Sequence, residues 1–198
     1  HVFSLFFGLV IFSSISILFT LKKKSELSFL LFLFFFIGIF IGLFITTLKP
    51  ISLSNDFFSI FFSGMISICA MILPGLSGSF ILLILGKYFY IIEAVKNLDI
   101  PILLIFATGA LVGLFSFSRI ISFFLKKYYD NSLFFLVGLM LGSSNKLWPW
   151  KVENTNVSPF FYNEFLNESN YLISSIIIFI ISGIIILIFE KKKLKLND

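Results

Sequence analysis

The sequence predicts an all-α, polytopic membrane protein with one helical hairpin broken in mid-membrane, and three observations carry that prediction. Hydrophobic residues make up 59% of the 198 and charged residues only 13%, with a mean hydropathy of +1.07. Such a chain has too little polar surface to face water as a soluble domain. Apolar stretches long enough to cross hydrocarbon alternate with short lysine clusters at 22–24, 126–127 and 191–195. Within the 30 uncharged residues from Phe57 to Gly86 stands the hexad Pro74-Gly75-Leu76-Ser77-Gly78-Ser79. In lipid every backbone amide and carbonyl needs a partner, so this break must be buried in protein or line a polar cavity.

The elements follow in order. Residues 2–20 form a first span and residues 27–48 a second, uncharged one; as a helix the second crosses about 30 Å. Gly38 and Gly42 lie four apart in it, a spacing that permits close helix contact. Lys49-Pro50 ends that span. Residues 57–95 form the broken hairpin: one arm from Phe57 to Leu73, the hexad, and a second helical arm from Phe80 to about Val95, either re-entrant or as two short spans meeting at a turn. Residues 101–119 form the next span, with Gly109 and Gly113, and Arg119 at its end. Residues 132–147 form another, closing in Gly142-Ser143-Ser144-Asn145 and the interfacial Trp148-Pro149-Trp150. After a polar stretch with Glu153, Glu164, Glu168 and a formal Asn167-Glu168-Ser169 glycosylation pattern, residues 171–189 form the last span. The whole is a single transmembrane domain. It opens at His1 inside an apolar run, and the expectation is a fragment lacking its N-terminal part.

Charge placement tests the break. The positive-inside rule puts all three lysine clusters in the cytoplasm. That holds only if residues 57–95 enter and return; a single crossing would send the last two clusters outside. The C-terminus is then cytoplasmic. The formal net charge of +5 is thus a topology signal and gives no support to nucleic-acid binding.

The residues that could carry chemistry are few. Pro74 lacks an amide proton, and Gly75 and Gly78 permit a turn and close approach of another group. A helix beginning near Ser77–Ser79 presents unpaired amides, so a phosphate could accept from them and from the two hydroxyls; equally, Ser77 or Ser79 could simply cap the arm. Arg119, the only arginine, could grip a phosphate or snorkel to headgroups. Lys87 could neutralise an anion or anchor its arm. Glu93 and Asp99 are carboxylates that could take protons in an ion-coupled transporter, or be solvated at the interface. With a single cysteine, Cys69, no disulfide forms within the chain. No metal-ligand spacing and no Ser/His/Asp or Cys/His arrangement is present, so no enzyme, metal or cofactor is expected.

The run from Met71 to Tyr88, Met71-Ile72-Leu73-Pro74-Gly75-Leu76-Ser77-Gly78-Ser79 and on through Gly86-Lys87-Tyr88, resembles the second signature of the DUF368 family of bacterial polyprenyl-phosphate (undecaprenyl-phosphate) transporters. Gly109, Gly113, Phe117-Ser118-Arg119, Gly138-Leu139 and Leu147-Trp148-Pro149 resemble that family in order and spacing. The resemblance implies translocation of undecaprenyl phosphate across the bacterial cytoplasmic membrane for lipid-carrier recycling in cell-envelope synthesis. It also implies an inverted-repeat fold with a second Pro-Gly-x-Ser-Gly break in the missing part. Carried over, Ser77, Gly78, Ser79 and Arg119 would contact the phosphate, with Lys87 as a further candidate beside Pro74 and Gly75. A small-anion secondary transporter and a non-transporting membrane scaffold are the alternatives. A lipid-phosphate carrier should have a cavity opening to the bilayer, and a scaffold should pack the hexad with no cavity. Oligomeric state, coupling ion and direction of flux are not set by the sequence.

Overall fold

The computed structural model describes residues 2–24, 28–152, 155–159, 162 and 171–196. His1, Glu26, Glu153, Glu164, Glu168 and the Asn167-Glu168-Ser169 pattern lie outside the described residues. The described chain is almost wholly helical: α1 Val2–Lys24, α2 Phe29–Thr47, α3 Phe57–Ile72, α4 Gly78–Ile84, α5 Tyr88–Lys96, α6 Ile100–Lys127, α7 Tyr129–Ser143 and α8 Tyr171–Leu196. One turn of 3-10 helix, Ser144–Leu147, follows α7. The only departure from all-α among the described residues is a two-residue antiparallel ribbon, β1 Lys151–Val152 with β2 Thr155–Asn156. Helices α1, α2 and α6 are long and apolar enough to cross a membrane.

Helix starts are set locally. The Ser28 hydroxyl accepts from Leu30 N–H, Asp56 from Ser59 N–H and Asp99 from Ile102 N–H, so each side chain satisfies an amide that has no partner within its helix.

Three helix pairs build the bundle, and small residues make each possible. In lipid no hydrophobic force pulls helices together, so close backbone packing must do it. Gly38 and Gly42 of α2 lie directly against α7, where a Cβ at Gly42 would sit 2.7 Å from the Leu139 carbonyl oxygen and one at Gly38 would overlap that of Phe135. The contact is reciprocal: Cβ atoms at Gly138 and Gly142 would overlap the carbonyls of Phe35 and Ile39. In the α3–α6 pair, Gly64 faces the Phe106 carbonyl, Gly109 that of Phe61 and Gly113 that of Met65. In the α1–α8 pair, Gly8 meets the Ser182 hydroxyl and Gly183 the Phe12 ring.

All three pairs run parallel, since contacting positions advance together along both partners. This settles the crossing parity by geometry. Helix α6 can run parallel to α3 only if the chain between them returns to the side where α3 began. The contacts confirm that return: Ile51 N–H donates to the Ile84 carbonyl at 2.8 Å, joining the far end of α4 to the loop that precedes α3. The lysine-bearing ends of α1, α6 and α8 therefore share one end of the bundle, called here the basic end. There Leu21, Leu31 and Phe134 form a buried cluster between α1, α2 and α7.

Two helices differ from the sequence reading. The second arm of the hairpin is not one helix: α4 and α5 meet at 110°. Gly86 takes a left-handed φ of +67° there, which a residue with a side chain rarely adopts, and hydropathy gives no hint of the turn because both pieces are apolar. Helix α6 runs on past Arg119 to Lys127, placing Arg119 two turns inside the helix.

Candidate functional site

The break is built from the proline outward. Leu73 is extended (φ −77°, ψ 127°), as the residue before a proline should be. Leu76 N–H then bonds back to the Leu73 carbonyl at 3.4 Å, closing a turn with Pro74 second and Gly75 third. Gly75 has φ +86°, the value a type II turn demands at that place. Ser77 returns to extended backbone and α4 begins at Gly78. Its first intrahelical bond runs from Ile81 N–H to the Ser77 carbonyl at 3.1 Å, so the amides of Gly78, Ser79 and Phe80 precede the helix's own acceptors.

Neither serine caps the helix with its side chain. The Ser77 and Ser79 hydroxyls instead lie 2.8 Å apart, hydrogen-bonded to each other and exposed. Between them Gly78 is buried; a Cβ there would stand 2.8 Å from the Ser67 carbonyl oxygen. The Ser67 hydroxyl donates to the Gly78 carbonyl at 2.9 Å, tying α4 to the middle of α3. Beyond the serines along α4, Ala70, Ile81 and Ile84 form a buried apolar cluster with Leu76 and Phe80 against it.

The depth of the break follows from its neighbours. A Cβ on Gly75 would lie 2.9 Å from Met140 Cα and 2.5 Å from the Ser143 hydroxyl oxygen. At 1.5 Å per residue Met140 stands about 16 Å along α7 from the basic end, near the middle of the hydrocarbon. The contact with α7 also brings the 3-10 turn alongside the break, and the Lys146 ammonium sits 4.8 Å from the centre of the Phe80 ring, the residue next to Ser79. Lys146 is exposed. It is not among the residues singled out from the sequence; the polar run Gly142-Ser143-Ser144-Asn145 that leads into it was the available signal.

Of the cations singled out in the sequence, neither Lys87 nor Arg119 is hydrogen-bonded to the serine pair. Lys87 is fully buried, and its ammonium donates to the Leu53 carbonyl (2.8 Å), the Ser54 carbonyl (2.6 Å) and Asn55 Oδ1 (2.6 Å). All three of its donors are occupied, so it clamps the loop before α3 to the bend between α4 and α5. Arg119 is exposed on α6. At 100° per residue it faces away from Phe117, Ile121 and Phe124 of the same helix. Glu93 is exposed and Asp99 caps α6.

Below the break, toward the basic end, lies a cavity of about 640 Å³ walled by α2, α6 and α7 and by Leu73, the residue just before Pro74. Its lining is apolar apart from Tyr128, Asn131 and Ser132 at one end. A pair of exposed hydroxyls and an apolar cavity thus adjoin one turn.

A family model described as VCA0040-like, undecaprenyl phosphate translocase-like, matches residues 1–164. The chain belongs to that family. The resemblance read from the hexad and from the later glycine and tryptophan positions is borne out by this match. Among curated relatives, a polyprenyl-phosphate transporter of Vibrio cholerae is 39% identical over 205 aligned positions, covering 96% of this chain and 66% of the relative. A polyprenyl-phosphate transporter of Staphylococcus aureus is 33% identical over 95 positions, 45% of this chain and 34% of the relative. The chain therefore spans 66% of the length of the first and about a third of the second. No solved structure matches. The chain is a multi-pass membrane protein, and the residues matched by the family model, 1–164, include the whole of the break, the cavity and Lys146.

Proposed function

We propose that this chain forms part of a translocator of polyprenyl phosphate, with undecaprenyl phosphate as its substrate, in the bacterial cytoplasmic membrane, serving the recycling of the lipid carrier used in envelope synthesis. The observation that carries the reading is the paired, exposed hydroxyls of Ser77 and Ser79 at a mid-membrane turn, with the Lys146 ammonium on the ring of Phe80, the next residue. A phosphate brought to that turn meets two hydroxyl donors and an ammonium. The amides at the start of α4, which have no acceptor within the helix, are further donors at the turn.

The role of each residue follows. Pro74 and Gly75 make the turn and press it onto α7; Gly78 lets α4 approach Ser67; Ser77 and Ser79 donate to phosphate oxygens; Lys146 supplies charge. Lys87 holds the surrounding loop and Arg119 stands apart from the turn. The step is movement of a headgroup past a polar break while the hydrocarbon tail stays in an apolar setting, with no bond made or broken. Positive-inside placement puts the basic end, and with it the C-terminus, in the cytoplasm. A small-anion carrier has no use for an apolar cavity beneath its site, and a scaffold has no use for any cavity; the space below Leu73 favours a lipid.

Leaflet-resolved translocation of undecaprenyl phosphate in liposomes by the full-length protein tests this. The double variant Ser77→Ala/Ser79→Ala should slow translocation at least tenfold with folding intact. Translocation at the wild-type rate would remove the serines from the site, and none by the wild type would remove the function.

A further inference from the structure

We propose that the cavity below Leu73 holds the phosphate-proximal part of the substrate's isoprenoid chain, an inference that rests on the lipid-phosphate reading above. The two sites share the same turn. Leu73 walls the cavity and Pro74 begins the break. A lipid with its phosphate at Ser77 and Ser79 therefore has its first isoprene units at the cavity mouth.

The orientation agrees with the substrate's own. The serines open α4, which runs from the turn away from the basic end, and the cavity extends from Leu73 toward the basic end, walled by Leu30 and Phe34 of α2, Ile121 and Phe124 of α6 and Leu136 of α7. A lipid taken from the outer leaflet carries its headgroup outward and its chain inward. Headgroup and chain then fall on the two sides of the turn without inversion. The volume, about 640 Å³, is that of a ligand pocket, typically about 300–1,000 Å³.

The cavity also lies between two rigid bodies. On one side is the glycine-locked pair α2–α7 and on the other the glycine-locked pair α3–α6. Its wall is therefore formed by surfaces that can shift against each other while each pair stays intact. Lipid tails are as apolar as leucine, so the cavity gains little by hydrophobic transfer from the bilayer. What it offers is an apolar space of defined size directly beside the turn.

The test uses full-length protein in phosphatidylglycerol-containing vesicles with a geranylgeranyl phosphate probe bearing a diazirine on its second isoprene unit, followed by mapping of adducts. Adducts should fall on the α6 and α7 walls, drop at least tenfold with excess undecaprenyl phosphate, and stay unchanged with added phosphatidylglycerol. Ile121→Trp, which fills the cavity, should abolish them, whereas Ile121→Val should keep them. Adducts at the break but none in the cavity would overturn the proposal and leave the phosphate site standing; that result also covers a cavity filled by a segment of the longer protein. Adducts displaced equally by phosphatidylglycerol would make the cavity a general lipid groove and overturn it too. An absence of any adduct displaced by undecaprenyl phosphate would overturn both this inference and the function it rests on.

Discussion

The Ser67 hydroxyl donates a hydrogen bond to the Gly78 carbonyl across 2.9 Å, linking the middle of α3 to the first residue of α4. The bond is buried and spans the break. It holds the turn of Pro74–Ser79 against the helix that leads into it, so the geometry of the serine pair depends on a residue that touches no substrate. Ser67→Ala should cost about 0.5–1.5 kcal/mol of stability and speed amide exchange over residues 76–80. Gly78→Ala should do more, because its Cβ meets the Ser67 carbonyl oxygen at 2.8 Å. Exchange unchanged in both variants would show the turn to be held elsewhere.

The α2–α7 pair makes a sharper demand on size. A side chain at Gly38 or Gly138 would overlap backbone of the facing helix, which cannot retreat as a flexible side chain can. Gly138→Leu should lower the thermal midpoint by several degrees or prevent folding, with an overpacking cost of about 1–3 kcal/mol or more. Gly183→Ala, whose Cβ meets only the Phe12 ring at 2.7 Å, should be milder. Thermal unfolding in detergent orders the two, and the reverse order would contradict the packing argument.

Lys87 gives a prediction that separates a clamp from a ligand contact. Its three donors are all used by residues 53–55. Lys87→Met should release that loop and destabilise the protein by about 1 kcal/mol. In a background with Cys69 replaced, a cysteine probe at Ser52 should then alkylate several times faster. Affinity for undecaprenyl phosphate should change less than twofold. A large loss of affinity with no change at the loop would make Lys87 a substrate contact.

Much of this was legible in the sequence. An uncharged run interrupted by Pro74-Gly75 locates the turn, because those residues determine backbone conformation by covalent structure alone. The three lysine clusters require the hairpin to return, and the parallel pairing of α3 with α6 agrees. Gly109 and Gly113 mark a helix contact because only their lack of a side chain allows it. What was not legible depends on contacts distant in sequence. Lys87 looks like a free cation until the loop 34 residues earlier folds over it. Lys146 looks interfacial until Gly75 docks on Met140 and Ser143. The bend at Gly86 sits between two apolar helices, so hydropathy cannot see it.

Asp56 carries a modest pH dependence. The Ser54 hydroxyl bonds to its carboxylate and holds it below the ordinary carboxylate range. A carboxyl whose folded value lies below its unfolded one, about 3.9, contributes stability that is present above that value and lost as pH falls through the folded one. The thermal midpoint contribution should thus be flat from pH 5 to 8 and decline below about 4. Asp56→Asn keeps a capping side chain without a titrating group and should remove that component of the decline. An unchanged acid profile in Asp56→Asn would rule this group out.

Headgroup discrimination at the break is the most direct measurement. Native mass spectrometry of the full-length protein with equal amounts of undecaprenyl phosphate and undecaprenol reports whether the site reads the phosphate. The wild type should favour the phosphate at least tenfold, and Ser77→Ala/Ser79→Ala combined with Lys146→Met should bring the ratio close to one. A preference that survives the triple change would contradict the assignment of the phosphate to this turn.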